Sequence, residues 1–287
     1  MGDVVRYLRE NTFKNYLKPL SFLAKKVKDS DGELDLQLRK EYLNVYYKGN
    51  SLAKVSLQPN SLKIEVHQQF AMENALDKDA KKRFKDTKIS KIGSYDVVNI
   101  GNHELFEKFF QDRIIDALSA KIKNVNNGEE ITFEQSIITD NLHKNVGFII
   151  IDRQVAGGGI SGKLDLLGLK QMENGKYRFV VLEVKLGNNP ELKNDVAGQL
   201  KRYVDAMDAN FPDFKACYEK NYRQKYLLGL FPPSYPENIE IEEGVIGKIL
   251  VGSYSKIARK QIDELTARHP HLKAENAIVE MFNYVSF

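Results

Sequence analysis

Lys163-Leu164-Asp165-Leu166-Leu167-Gly168-Leu169, then Glu173-Asn174-Gly175, then Tyr177-Arg178-Phe179-Val180-Val181-Leu182-Glu183-Val184-Lys185-Leu186: two apolar runs flank a short polar turn. Runs of this length, rich in Leu and Val and joined through Asn-Gly, predict two antiparallel strands. Side chains two apart on a strand share a face, so Glu183 and Lys185 project together while Leu182, Val184 and Leu186 point the other way. The turn decides where Asp165 falls. A three-residue loop, Glu173-Asn174-Gly175, sets Asp165 opposite Glu183 and gives Gly175 the left-handed position; a two-residue Asn-Gly turn sets Asp165 opposite Val184. Phe179 to Leu182 is apolar at every position, which predicts a strand buried on both faces, where a Glu and a Lys are costly.

Outward from this hairpin, the following segment carries Asn189 as a helix cap and Pro190 at the first helical position. The helix is expected to run to about Met207, with Gln199 and Tyr203 four apart on one face. On the other side, Gly157-Gly158-Gly159-Ile160-Ser161-Gly162-Lys163 matches most of a P-loop, which would make the chain a nucleotide hydrolase. Leu164 stands where that motif has a Mg²⁺-binding Ser or Thr. The strand-like run after Gly162 also leaves no room for a phosphate-cradling helix. The P-loop is therefore the lesser reading.

Glu-x-Lys on a strand is common on the wet side of a sheet and is weak on its own. Two nearby carboxylates repel unless a cation compensates, and oxygen ligands of this kind suit Mg²⁺ or Mn²⁺. Such a metal polarises a phosphate oxygen and acidifies bound water. A lysine beside the pair can orient or deprotonate that water and offset charge on the phosphate. The parts match phosphodiester hydrolysis.

Aspartate on one strand, Glu-x-Lys on the next and Gln199-Leu200-Lys201-Arg202-Tyr203 on the helix after it resemble the PD-(D/E)xK nuclease superfamily, in particular its RecB-type branch with a Gln-hydrophobic-x-x-Tyr helix. The resemblance covers roughly residues 100–255. It implies an α/β, restriction-endonuclease-like core with a mixed central sheet flanked by helices. It implies Asp165, Glu183 and Val184 as metal ligands, Lys185 as the catalytic lysine, and Gln199 and Tyr203 as site-positioning residues. It also implies an acidic residue on the preceding helix that joins the metal site, for which Glu107 is the choice and Glu104 the reserve. Leu164 precedes Asp165 where the named pattern has proline. A role in restriction, repair or anti-phage defence is the expectation by analogy; the alternative is a catalytically idle nucleic-acid-binding module of the same fold, against which the intact set of Asp165, Glu183 and Lys185 speaks.

The rest of the chain fits around this core. A helical stretch from Thr12 to Val27 is followed by period-two runs at Leu34–Leu38, Leu43–Tyr47, Ala53–Leu57 and Leu62–Val66, which predict an antiparallel meander of four strands. Tyr42, Tyr46 and Tyr47 could stack on bases but more commonly pack. A polar stretch from Asn74 to Lys91 places the domain boundary near residue 95, giving a basic, mostly antiparallel β domain (1–95) and a nuclease-like domain (96–287). The second opens with a helix, Asn102 to Lys123, and strand-like runs at Ile131–Ile138 and Val146–Asp152. Later come a helix at Phe214–Lys225, a strand at Val245–Tyr254, a helix at Lys256–Arg268 and a terminal run at Ile278–Val285.

Residues 1–100 carry 19 Lys and Arg against 13 Asp and Glu, and the remainder 24 against 26. The basic excess thus lies in the N-terminal third, densest from Lys78 to Lys85, as a phosphate-contacting surface or a solvated helix face. One cysteine, Cys217, excludes an intramolecular disulfide framework and a thiolate zinc site, and a cytoplasmic location is expected. The five histidines form no metal-binding spacing. No run is long and apolar enough for a membrane span. The expected partner is nucleic acid, DNA ahead of RNA, with no membrane; a homo-oligomer is compatible with the reading.

Overall fold

The computed structural model describes residues 4–70, 89–101, 103–125, 128–142, 147–252 and 256–280. In chain order its elements are α1 (Glu10–Asn15), α2 (Leu17–Lys28), β1 (Leu34–Arg39), β2 (Tyr42–Tyr47), β3 (Asn50–Gln58), β4 (Ser61–His67), β5 (Ile89–Ile92), β6 (Tyr95–Ile100), α3 (His103–Phe109), α4 (Asp112–Val125) and α5 (Glu129–Leu142). Then follow β7 (Phe148–Gly157), β8 (Ile160–Gln171), β9 (Tyr177–Leu186), α6 (Glu191–Asn194), α7 (Val196–Ala209), α8 (Phe211–Leu227), β10 (Ile246–Gly252), α9 (Lys256–Arg268), α10 (Pro270–Ala274) and β11 (Ile278–Glu280). Among the described residues no helix is long and apolar enough to cross a membrane.

The chain divides into two compact units, each discontinuous in sequence. The first comprises Val5–Gln135 and Lys220–Asn238; the second comprises Met1–Val4, Ser136–Glu219 and Ile239–Phe287. The boundary expected near residue 95 is therefore corrected: β5 and β6 complete the first sheet, and α3 and α4 supply part of its core. Pairing of β6 with β4 is a long-range event that no local composition signals.

In the first unit an antiparallel six-stranded sheet runs in the order β1-β2-β3-β4-β6-β5. The alternating Leu34, Leu36, Leu38 and Leu43, Val45 place one face of the sheet in a core shared with Leu20 and Leu23 of α2 and Ile114, Leu118 and Ile122 of α4. The four expected strands are present with small changes in their ends. The helix expected over Asn102–Lys123 is two helices, α3 and α4, and that over Thr12–Val27 is α1 and α2. Tyr46 is buried, and Lys54 lies over the Tyr42 ring at 4.9 Å, so these tyrosines pack within the sheet. The basic run Lys78–Lys85 lies outside the described residues.

The second unit is built on a mixed sheet, β11-β10-β9-β8-β7. β7, β8 and β9 run antiparallel in turn, whereas β10 is parallel to both β9 and β11. Parallel pairing requires a crossover, and α6 to α8 lie in the connection from β9 to β10. α7 packs on β8, β9 and β10, where Gly247 leaves room for Leu200 and Val204. Phe179 meets the edges of Phe211, Phe214 and Tyr218. Cys217 is a buried residue of α8.

One element departs in type from its sequence signal. Ile131–Ile138 reads as a strand, yet Glu129–Leu142 is a helix. Its buried positions, Glu134, Gln135, Ile137 and Ile138, recur at helical spacing. Asn141 near its end accepts from Ile150 N at 2.8 Å and donates to Phe148 O at 3.0 Å, which ties the helix to β7.

Candidate active site

Asp165, Glu183 and Lys185 sit on β8 and β9, the two strands of the hairpin. The connection is the three-residue loop: Met172 N donates to Lys176 O at 2.8 Å, enclosing Glu173-Asn174-Gly175, and Gly175 has φ +79°. The register runs from Gln171↔Tyr177 to Leu166↔Leu182, and one step further it carries Asp165 across from Glu183. There Asp165 Oδ2 accepts the backbone N–H of Val184 at 2.9 Å. A side-chain carboxylate thus takes a main-chain donor of the neighbouring strand.

β9 is the central strand of the sheet and is buried along almost its whole length, as its apolar run predicts. Glu183 and Lys185 are 2% and 6% exposed, so neither is on a wet face. Lys185 Nζ lies 2.9 Å from Glu183 Oε1 and 3.2 Å from Glu191 Oε2. Glu191, at the start of α6, is a partner that the sequence reading missed. The only signal for it was an acidic residue in the first turn of the helix after Glu-x-Lys.

Tyr203 lies on α7 over this group. Its hydroxyl donates to Lys163 O at 3.2 Å. Burial pushes that hydroxyl's pKa above its ordinary value; the charges of Glu183 and Asp165 push the same way, against Lys185 and Arg202. The tyrosine therefore feels all three hairpin residues at once. Gln199, one turn earlier, is half-buried, and its side-chain oxygen has no hydrogen-bond partner among the described residues. Pro190 and Asn189 act as expected only in part. Asn189 Oδ1 accepts Glu191 N, but the helical stretch breaks at Asp195 into α6 and α7.

The glycine run is a hairpin. Gly157 pairs with Ile160 around Gly158-Gly159, and Lys163 continues as β8 with no helix after it. A phosphate-cradling P-loop needs that helix, so the nucleotide-hydrolase alternative is set aside. The glycines have packing reasons instead. A Cβ on Gly158 (φ +60°) would meet the side chains of Val4 and Phe214. Gly162 (φ +94°) lies against the Tyr203 hydroxyl, with a Cβ there only 3.4 Å from it.

Glu107 does not join the group. It belongs to α3 of the first unit, and among the described residues no set of three His, Cys, Asp or Glu side chains forms a metal-holding cluster. The helix directly before β7 is α5, and its buried carboxylate, Glu134, likewise falls in the first unit. Glu104 lies in α3, with its side chain outside the described positions.

Whether Mg²⁺ or Mn²⁺ suits the residues present can be judged from their donors. Asp165 and Glu183 would offer hard carboxylate oxygens from adjacent strands, and Gln199 an amide oxygen without a hydrogen-bond partner among the described residues, on the covering helix. Mg²⁺ commonly takes only one or two carboxylates and completes its shell with water and substrate phosphate. The donor set fits. A separate cavity of ≈ 570 Å³ lies on the opposite face of the sheet, lined by Val180, Leu182 and Leu250 with Ile137 and Asn141 of α5. It is largely apolar and is not where these carboxylates point.

No family model matches the chain, and no curated protein or solved structure gives a significant match to it.

Proposed function

We propose that the second unit is a metal-dependent nuclease of the PD-(D/E)xK type that hydrolyses phosphodiester bonds, with DNA as its substrate. The observation that carries this reading is the Lys185–Glu183 ion pair, held at 2.9 Å inside a strand that is otherwise apolar. Burying two charges costs several kcal/mol each, roughly, and a hydrophobic pair would fold as well or better. A chain that keeps them in its central strand, beside Asp165 and under Tyr203, has a chemical use for them.

Asp165 and Glu183, with Val184 beside them, would hold Mg²⁺ or Mn²⁺, which supplies polarisation of a phosphate oxygen and acidification of bound water. The chain's own residues do the rest. Lys185 offers its ammonium to the developing charge on the phosphate and to the attacking water. Glu191 and Glu183 fix where that ammonium points. Tyr203 and Gln199 cover the group and orient a substrate strand. The order α5-β7-β8-β9-α7-β10 supports this reading, because it supplies the helix and strands on which the motif relies.

The test is cleavage of mixed DNA and RNA substrates with Mg²⁺, Mn²⁺ or EDTA, comparing wild type with Lys185→Ala. Metal-dependent cutting that is lost in the variant is expected. Nucleic-acid binding without cutting under any condition would overturn the reading in favour of an idle binding module.

A further inference from the structure

The face of the second sheet turned away from Asp165 and Glu183 carries the cavity of ≈ 570 Å³. One row across that face reads Ile150, Gly168, Val180 and Ile246, and Leu182 and Leu250 extend the aliphatic floor. Glycine is the gap in the row. A Cβ on Gly168 would come within 2.4 Å of the Phe148 ring, so its absence lets that ring lie low against the sheet as a wall. Glycine inside a strand commonly marks such a close approach. The cavity's size is that of pockets which take a small organic molecule, and its only aromatic lining residue is Phe148. Its walls therefore suit an alkyl chain better than a stacked base.

Charge supplies an independent sign of what enters. Three charged residues line the cavity: Lys170 of β8, Lys248 of β10 and Asp140 of α5. Lys170 is exposed, and its ammonium forms no hydrogen bond or ion pair among the described residues. Lys248 is half-buried and donates to main-chain oxygens, Asn276 O at 2.6 Å and Glu275 O at 3.3 Å. Burial pushes its pKa below the ordinary lysine value, and the charge of Lys170 pushes the same way, against Glu275. Two ammonium groups thus repel each other beside an aliphatic floor, neither of them in an ion pair among the described residues. One anion placed between them relieves that repulsion.

We propose that this cavity binds a medium-chain fatty acid, its alkyl chain on Val180, Leu182 and Leu250 and its carboxylate between Lys170 and Lys248. The site lies across the sheet from the Asp165–Glu183 group and does not depend on what that group does.

The experiment is calorimetric titration of the full chain with decanoate, below its micelle concentration and in EDTA, for wild type, Lys170→Gln and Lys170→Glu. Lys170 is exposed, so both variants keep the fold, which circular dichroism verifies. Saturable binding is expected, weakened about two- to fivefold by Lys170→Gln and further by Lys170→Glu. Decyltrimethylammonium, with the same chain and the opposite charge, is expected to bind at least about tenfold more weakly. Absence of saturable decanoate binding would overturn the proposal, as would unchanged binding in both variants or equal affinity for the cationic amphiphile. So would acetate that binds as tightly as decanoate. A dimer in light scattering that Val279→Glu disperses would overturn it too, since Val279 lines the cavity, is 39% exposed and would then be covered by a second copy.

Discussion

Lys185 and Glu183 hold each other at 2.9 Å on the central strand of a five-stranded sheet, both almost wholly removed from water. Such a pair is a poor device for stability, since the desolvation of two ions offsets most of their attraction. Breaking it is another matter, because the survivor is left charged and buried.

Lys185→Ala is therefore expected to lose about 3–5 kcal/mol of stability along with all cutting. Replacing both residues, Glu183→Leu with Lys185→Met, is expected to recover most of the stability and none of the activity. Urea denaturation of the three proteins, read beside a cleavage assay, checks it. A double variant as unstable as the single one would show that the pair is structural.

Asp165→Asn keeps a side-chain oxygen for the Val184 N–H and removes the charge. Its melting temperature is expected to stay close to wild type while cleavage falls by about 10²-fold or more. Calorimetric titration with Mn²⁺ should show weakened binding in parallel. Full activity in this variant would remove Asp165 from the site.

The Tyr203 hydroxyl has a pKa raised from its ordinary 10.0, chiefly by burial. Its neutral form is favoured in the folded state, so the folded protein holds this proton where the unfolded chain releases it. The stabilisation is complete below the unfolded value and is lost as pH rises through the folded one. In Tyr203→Phe the lost hydrogen bond to Lys163 O costs about 1 kcal/mol at neutral pH. Above pH 10.0 the variant's stability should fall less steeply than wild type's. Parallel slopes in thermal melts across that window would contradict the assignment.

Two glycines separate conformational cost from crowding. Gly175 has φ +79° and open space around it, so Gly175→Ala should cost about 1–2 kcal/mol. Gly158 has φ +60° and a Cβ there would come within 2.8 Å of the Phe214 ring. Gly158→Ala is expected to cost about 2–5 kcal/mol, the extra part being overpacking. Equal melting temperatures for the two variants would show that the Phe214 ring gives way freely.

How much of this was legible in the sequence follows from how local each signal is. Glu183 and Lys185 share a face by chain geometry alone, whereas Asp165 opposite Glu183 was one of two registers the turn allowed, the other setting it opposite Val184. The period-two leucines of β1 to β4 gave their strands for the same reason. Ile131, Thr132 and Phe133 favour strands intrinsically, and only the buried spacing of Glu134, Ile137 and Ile138, with Gln135 donating to Gly32 O from 103 residues away, makes α5 a helix. β5 and β6 fell outside the expected meander because β6 is placed by β4 and β5 by β6. Glu191 could be named as acidic from sequence, but its pairing with Lys185 depends on how the chain turns after Gly187.

The side chain of Gln224 donates to Leu8 O and accepts Leu8 N across 216 residues, and Lys225 reaches Gln37 in the same unit. A ribosome delivers Lys220–Asn238 only after nearly all of β7 to α8 has emerged, so the first unit waits for its last piece while much of the second is already in place. The second in turn waits for β10. Neither unit can be completed before the other has been largely made, which makes maturation of this chain a joint event and leaves residues 1–95, expressed alone, without the strand, helices and clamp that finish their sheet.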